Sequence, residues 1–159
     1  MKKLFLLLCT VLSFPAFAAD GVTFSFTYEG QTLEYTVLTD KTVCTKEEDY
    51  ESAGNFVQGD LILPEKVTYN NREYTLTEIG RYGFYGCSSL TSITIPSTVT
   101  TINYNSFNGC VSLKEIIFED GDEILSLRGM NDGPYNYPLF SDCPIESLYI
   151  GRNLQYSQK

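Results

Sequence analysis

The sequence predicts a β-rich solenoid: short parallel strands stacked by repeats of about 23 residues behind an N-terminal β-hairpin cap. Three observations carry this. First, FYGCSSLTSITIPSTVTTI is followed by FNGCVSLKEIIFED, so Phe84 and Phe107, Cys87 and Cys110, Leu90 and Leu113, Ile93 and Ile116, and Ile95 and Phe118 are each 23 apart, as are Ile79 and Ile102. Self-similarity at one period marks a stacked array, because a single unit cannot bury its own apolar face. Second, apolar residues within each copy follow a strand period rather than a helical one. Third, Gly and Pro stand where such a unit must turn.

The elements follow in order. Lys2 and Lys3 precede an apolar run from Leu4 to Phe14, and Ala16-Phe17-Ala18 offers a small-x-small cleavage site. Residues 1–18 therefore read as a secretory signal peptide, with the mature chain starting at Ala19 or Asp20. As a membrane anchor the run is too short, since spanning takes about 18 apolar residues or more. A lipoprotein signal fits poorly too, because Leu6, Leu7 and Leu8 precede Cys9. No membrane insertion is expected once the signal is removed.

Residues 19–58 fall outside the repeat. Phe24, Phe26 and Tyr28 alternate, Glu29-Gly30 turns, and Leu33, Tyr35 and Val37 alternate again, which is a β-hairpin pattern. Its expected role is to cap the edge that the first repeat would expose. Lys46–Glu51 reads as an acidic, solvated loop.

Residues 59–159 hold the array. Leu61, Leu63, Pro64 and Val67 match Ile93, Ile95, Pro96 and Val99 at an offset of 32, and the extra residues fall where Tyr69-Asn70-Asn71-Arg72 reads as a hairpin turn. Phe140 and Cys143 match Phe107 and Cys110 at an offset of 33. Ile145, Leu148, Ile150 and Leu154 begin a last, incomplete copy. Alternation along Leu-x-x-Ile-x-Ile points the apolar residues inward. Pro96 ends its strand because it cannot donate a ladder hydrogen bond. Val99, Ile102 and Phe107 are expected to fill the interior as the chain returns, and Gly86 and Gly109 to permit the sharp turn into the next copy.

This pattern, a Phe-x-x-Cys element before Leu-x-x-Ile-x-Ile-Pro, resembles the repeat of the BspA-type leucine-rich-repeat family. The resemblance covers roughly Gly59 to Leu154, with Phe118-Glu119 departing from Ile-Pro and a long third repeat. It implies a right-handed leucine-rich-repeat solenoid, and a secreted or surface-attached bacterial protein that adheres to host proteins or other cells.

Composition narrows the chemistry. The net charge is −9, and the chain has no histidine. Nucleic acid is a poor partner, since phosphate binding needs clustered Lys and Arg. Without histidine, Ser-His-Asp and Cys-His catalysis and the commonest metal ligand are missing. Carboxylate chemistry stays formally open, but nothing singles out one pair among the acids. The chain is expected to be no enzyme and to use no cofactor or metal. Cys87, Cys110 and Cys143 keep the repeat spacing and read as a buried apolar column. The alternative is a Cys87–Cys110 disulfide, allowed by adjacent strand spacing. Cys44 has no evident partner. Glu119, Asp120, Asp122 and Glu123 around Gly121 offer oxygen ligands but miss the EF-hand pattern, and read as a solvated loop.

Two surfaces are candidate partner sites. Ile62, Thr94, Ile117 and Tyr149 lie between inward residues, so they should form one outward column, beside Asp60, Ser92, Glu115 and Ser147. An apolar stripe on an exposed sheet face suits recognition, although β-propensity alone favours the same residues. The second is the turn-rich loop Arg128–Pro138 with Tyr135 and Tyr137. The expected function is non-enzymatic extracellular binding to protein or cell-surface partners through the exposed sheet face. The alternatives are a presentation segment of a longer surface protein, and a carbohydrate-binding accessory using Tyr149, Tyr135 and Tyr137.

Overall fold

A computed structural model describes residues 20–48, 57–132, 135–137 and 139–158. The expected signal peptide lies outside the described residues. The chain is β-rich, with β1 (Thr23–Tyr28), β2 (Gln31–Val37), β3 (Thr42–Thr45), β4 (Gln58–Ile62), β5 (Lys66–Tyr69), β6 (Arg72–Ile79), β7 (Ser89–Ile95), β8 (Thr101–Ile102), β9 (Glu115–Phe118), β10 (Leu125–Asp132), β11 (Tyr135–Tyr137), β12 (Ser147–Ile150) and β13 (Leu154–Gln158). Among the described residues, no helix is long and apolar enough to cross a membrane.

Two sheets face each other across one core. The front sheet has the order β12-β9-β7-β4, all parallel. The rear sheet runs β1-β2-β3-β6-β8-β10, with β5 on β6 and β13 on β10. Equivalent positions of the repeat stack in register: Leu61, Ile93, Ile116 and Leu148 in front, and Ile79, Ile102, Leu127 and Tyr156 behind. The insertions between copies therefore leave these equivalent positions paired.

The core follows from the inward positions. Leu90, Ile93, Ile95, Val99, Ile102, Phe107, Leu113 and Ile116 are all fully buried. Phe84, Phe107 and Phe140 stack as parallel rings with centroids 5.4 Å apart at both steps. Burying one such side chain is worth about 1.5–3 kcal/mol. Gly86 and Gly109 have φ of 68° and 78°, a left-handed turn that a Cβ would strain.

β1 and β2 form the expected hairpin about Glu29-Gly30. β5 and β6 form the second, with Asn70 and Asn71 both left-handed as a tight hairpin turn requires. β3, which no sequence pattern marks, pairs antiparallel with β2 and parallel with β6, joining the first hairpin to the rear sheet. The reading of Lys46–Glu51 as solvated needs correction at its start. Lys46 is half-buried and bridges Glu34 at 2.8 Å and Glu48 at 3.2 Å, fixing the loop to β2. Residues 49–51 lie outside the described residues.

Among the described residues no cysteine is in a disulfide, and Cys87 and Cys110 are buried while Cys143 is half-buried. They are not merely apolar filler: Cys110 Sγ donates to the Phe84 carbonyl and Cys143 Sγ to the Phe107 carbonyl, each at 3.0 Å. Each thiol thus ties its repeat to the one before.

Candidate functional site

The outward face of the front sheet is built by strand register. Ile62 pairs with Thr94, Thr94 with Ile117, and Ile117 with Tyr149, so these four side chains form one column. Its ends are the more open, with Ile62 46% and Tyr149 51% exposed. Thr94 and Ile117 are half-buried between their neighbours. Tyr149 Oη donates to Asp120 Oδ1 at 2.8 Å, which holds the ring over the face. That hydrogen bond raises the phenol above its usual range.

Beside it runs the polar column Asp60, Ser92, Glu115 and Ser147. Here the strands depart from simple alternation. Gly59 pairs with Leu90 but Asp60 with Ser92, so Thr91 is the extra residue of a bulge. Thr91 and Ser92 both point outward, and both hydroxyls donate to Asp60 Oδ1, at 2.8 and 2.7 Å. Ser92 first and then Thr91 lower the Asp60 carboxyl below its usual range. Further along, Ser147 Oγ donates to Glu115 Oε1 at 3.2 Å. Lys114 and Glu146 continue the Thr91 position and pair at 2.9 Å. The polar side of the face is therefore largely satisfied within the chain, while the apolar column has no such partner. Its charged groups, Asp60, Glu115, Asp120 and Glu146 against Lys114, leave the face acidic.

Ile62, Thr94, Ile117, Tyr149 and Glu115 are thus brought together on one face. Tyr135 and Tyr137 are not part of it. Their strand β11 pairs antiparallel with β10, Tyr137 opposite Met130 and Tyr135 opposite Asp132, away from the front sheet. Among the described residues no group of three or more Cys, Asp or Glu side chains is placed to hold a metal ion.

Sequence reading missed two features. Arg152 is only 6% exposed and turns inward, its Nη1 donating to the Ser97 and Val99 carbonyls at 2.8 and 2.6 Å and its Nη2 to the Pro96 carbonyl at 2.9 Å. It ties the last repeat to a turn two repeats earlier and so holds Tyr149 in the column. The other lies at the turn between β6 and β7. There Arg81 Nη1 donates to Tyr104 Oη at 2.8 Å, and the guanidinium lies 5.6 Å from the Tyr104 ring and 6.0 Å from Tyr82. A one-repeat spacing between Arg81 and Tyr104 was the available signal.

The comparison with protein families agrees with the repeat. The sequence profile described as "BspA type Leucine rich repeat region (6 copies)" matches residues 64–131. No curated protein matches the chain. Among solved structures, it is similar to a leucine-rich repeat protein from Bacteroides capillosus, with 21% identity, a TM-score of 0.49, and 83% of this chain and 99% of that one covered. A leucine-rich repeat protein from Bacteroides ovatus matches at 17% identity and a TM-score of 0.42, covering 88% of this chain and 44% of that one. The pneumococcal vaccine antigen PcpA matches at 18% identity and a TM-score of 0.44, covering 88% and 39%. Over residues 64–131, then, the chain matches the BspA-type leucine-rich repeat.

Proposed function

We propose that the chain is a non-catalytic extracellular binding module that recognises a protein on a host or cell surface through the outward face of β4, β7, β9 and β12. The observation that carries this is the column Ile62–Thr94–Ile117–Tyr149, apolar at three of its four positions and held in register on a parallel sheet. Flanking polar groups are already paired to one another, so docking a partner there costs little extra desolvation. The acidic rim favours a partner that brings apolar side chains together with Lys or Arg. The match of residues 64–131 to the BspA-type repeat supports a binding role, because surfaces of stacked repeats serve as extended recognition sites. In this reading the array is a short right-handed solenoid, residues 19–58 close its first repeat, and the leader over residues 1–18 exports it.

The test uses immobilised host surface proteins and, beside them, immobilised glycans. The chain should bind protein, and the Ile62→Ser, Ile117→Ser, Tyr149→Ser triple variant should lose at least about tenfold in affinity, the 1.4 kcal/mol that a few buried side chains readily supply. Its circular dichroism should stay unchanged. Undiminished binding by the folded triple variant would remove this surface from the account. Export should leave Ala19 or Asp20 as the first residue on N-terminal sequencing.

A further inference from the structure

Cys110 and Cys143 stand at the same place in successive turns of the array. Around them the two turns run close together. The Gly109 N–H donates to the Ser141 carbonyl at 2.9 Å, and the Phe107 and Phe140 rings stack 5.4 Å apart. Neighbouring strands, about 4.8 Å apart, fall inside the Cα separation of roughly 4.4–6.8 Å that a disulfide spans. Both side chains leave in the same direction, since each thiol donates to a Phe carbonyl of the turn before it. Cys110 Sγ and Cys143 Sγ lie within hydrogen-bonding reach of each other.

Joining the two sulfurs leaves no carbonyl without a donor. Phe84 O also accepts from the Cys87 N–H, and Phe107 O from the Cys110 N–H, each at 3.2 Å. Both stay satisfied when the S–H donors are gone. The chemistry has a defined order. The hydrogen bond between the two thiols holds Cys143 below the usual thiol range and Cys110 above it. Cys143 therefore supplies the attacking thiolate, and Cys110 the second thiol.

We propose that Cys110 and Cys143 form a disulfide that staples two successive turns of the array when the chain meets a small disulfide oxidant. The Cys143 thiolate attacks one sulfur of the oxidant and releases its other half as a thiol, leaving a mixed disulfide. Cys110 then attacks the Cys143 sulfur and releases the second half. Two protein S–H bonds and the S–S bond of the oxidant are broken; one protein S–S bond and two S–H bonds on the released thiols form. The bridge closes a loop of chain that holds β10 and β11, and so narrows the unfolded state. Its formation is independent of the front face, while its persistence outside the cell rests on the export proposed above.

The purified chain is held with oxidised and reduced glutathione in urea just below its unfolding midpoint, where molecules open and reclose. After return to buffer, free thiols are blocked and the chain is cut with trypsin without reduction. Cuts after Arg81, Lys114, Arg128 and Arg152 leave Cys87 and Cys110 together on residues 82–114 and Cys143 on residues 129–152. These two peptides should emerge joined, with fragmentation placing the bond at Cys110. The bridged chain should also unfold at higher urea than the reduced chain. Cys87→Ala should keep the link, and Cys143→Ser should lose both the link and the rise in midpoint. Blocked thiols at both Cys110 and Cys143 overturn the proposal. So does a bond within residues 82–114, which joins Cys87 to Cys110, and so does a bridged chain whose midpoint is not raised.

Discussion

Arg152→Met removes the guanidinium that spans from the last repeat to the Pro96–Val99 turn while keeping most of the side chain's apolar bulk. The guanidinium reaches that turn across Gly121, where a Cβ would lie 3.0 Å from Ser97 Cβ and 3.8 Å from Arg152 Cδ. In the variant the Pro96 carbonyl keeps the Val99 N–H at 3.1 Å. The Ser97 and Val99 carbonyls lose the guanidinium. A buried carbonyl left without a donor costs about 1–3 kcal/mol. Against this, the variant no longer desolvates a cation, the same burial that lowers the Arg152 pKa and that offsets much of what buried ions contribute. We expect a net loss of about 2 kcal/mol, which for a chain of this size lowers the melting midpoint by about 4–8 °C. Arg152→Lys keeps a point charge but not the forked donor, and should fall about halfway between. The assay is thermal and urea unfolding followed by circular dichroism. A midpoint for Arg152→Met within about 1 °C of the parent would mean that the guanidinium does not stabilise the fold.

Stability should fall in alkali. Burial first, then Glu47 and Glu78, push the Cys44 thiol up to about 12, whereas an unfolded thiol ionises near about 8.5. The unfolded state loses its proton first, so this contribution is full below pH about 8.5 and is lost as pH rises toward the folded value. Burial of Tyr35 acts in the same direction. Urea midpoints at pH 7, 9 and 10.5 should decline, and less steeply in Cys44→Ala; equal slopes would count against it. Gly151→Ala places a Cβ against Asp120 N and Cα, the latter at 2.7 Å, and should cost about 1–3 kcal/mol, read as a lower melting midpoint.

How much of this was legible in the sequence depends on whether a feature repeats. The Phe84–Phe107–Phe140 stack, the inward Ile93 and Ile116, and the outward Ile62–Thr94–Ile117–Tyr149 column recur at fixed offsets, and strand pleating turns an offset into a direction. What escaped was set by contacts specific to one place. Leu-x-x-Ile does not say which of its two middle residues is the bulge, and Thr91 is. An arginine reads as a surface residue, and only the approach of Gly121 to Ser97 makes room for Arg152 beneath. The Tyr149–Asp120 hydrogen bond and the pairing of β3 with β6 join segments with no common pattern. A buried cysteine at a repeat position predicts packing, but its use as a donor depends on the Phe carbonyl of the preceding repeat.

A protein seated on the outward face of β4, β7, β9 and β12 would cover Ile62 and Tyr149, which are exposed and oxidisable in the chain alone. Hydroxyl-radical footprinting of the chain alone and with its captured protein partner reads that cover residue by residue. Ile62 and Tyr149 should lose reactivity in the complex while Tyr28, at 38% exposed on the first hairpin, does not. Unchanged reactivity at Ile62 and Tyr149, with protection confined to the rear sheet or the β10–β11 arm, would place the binding surface elsewhere.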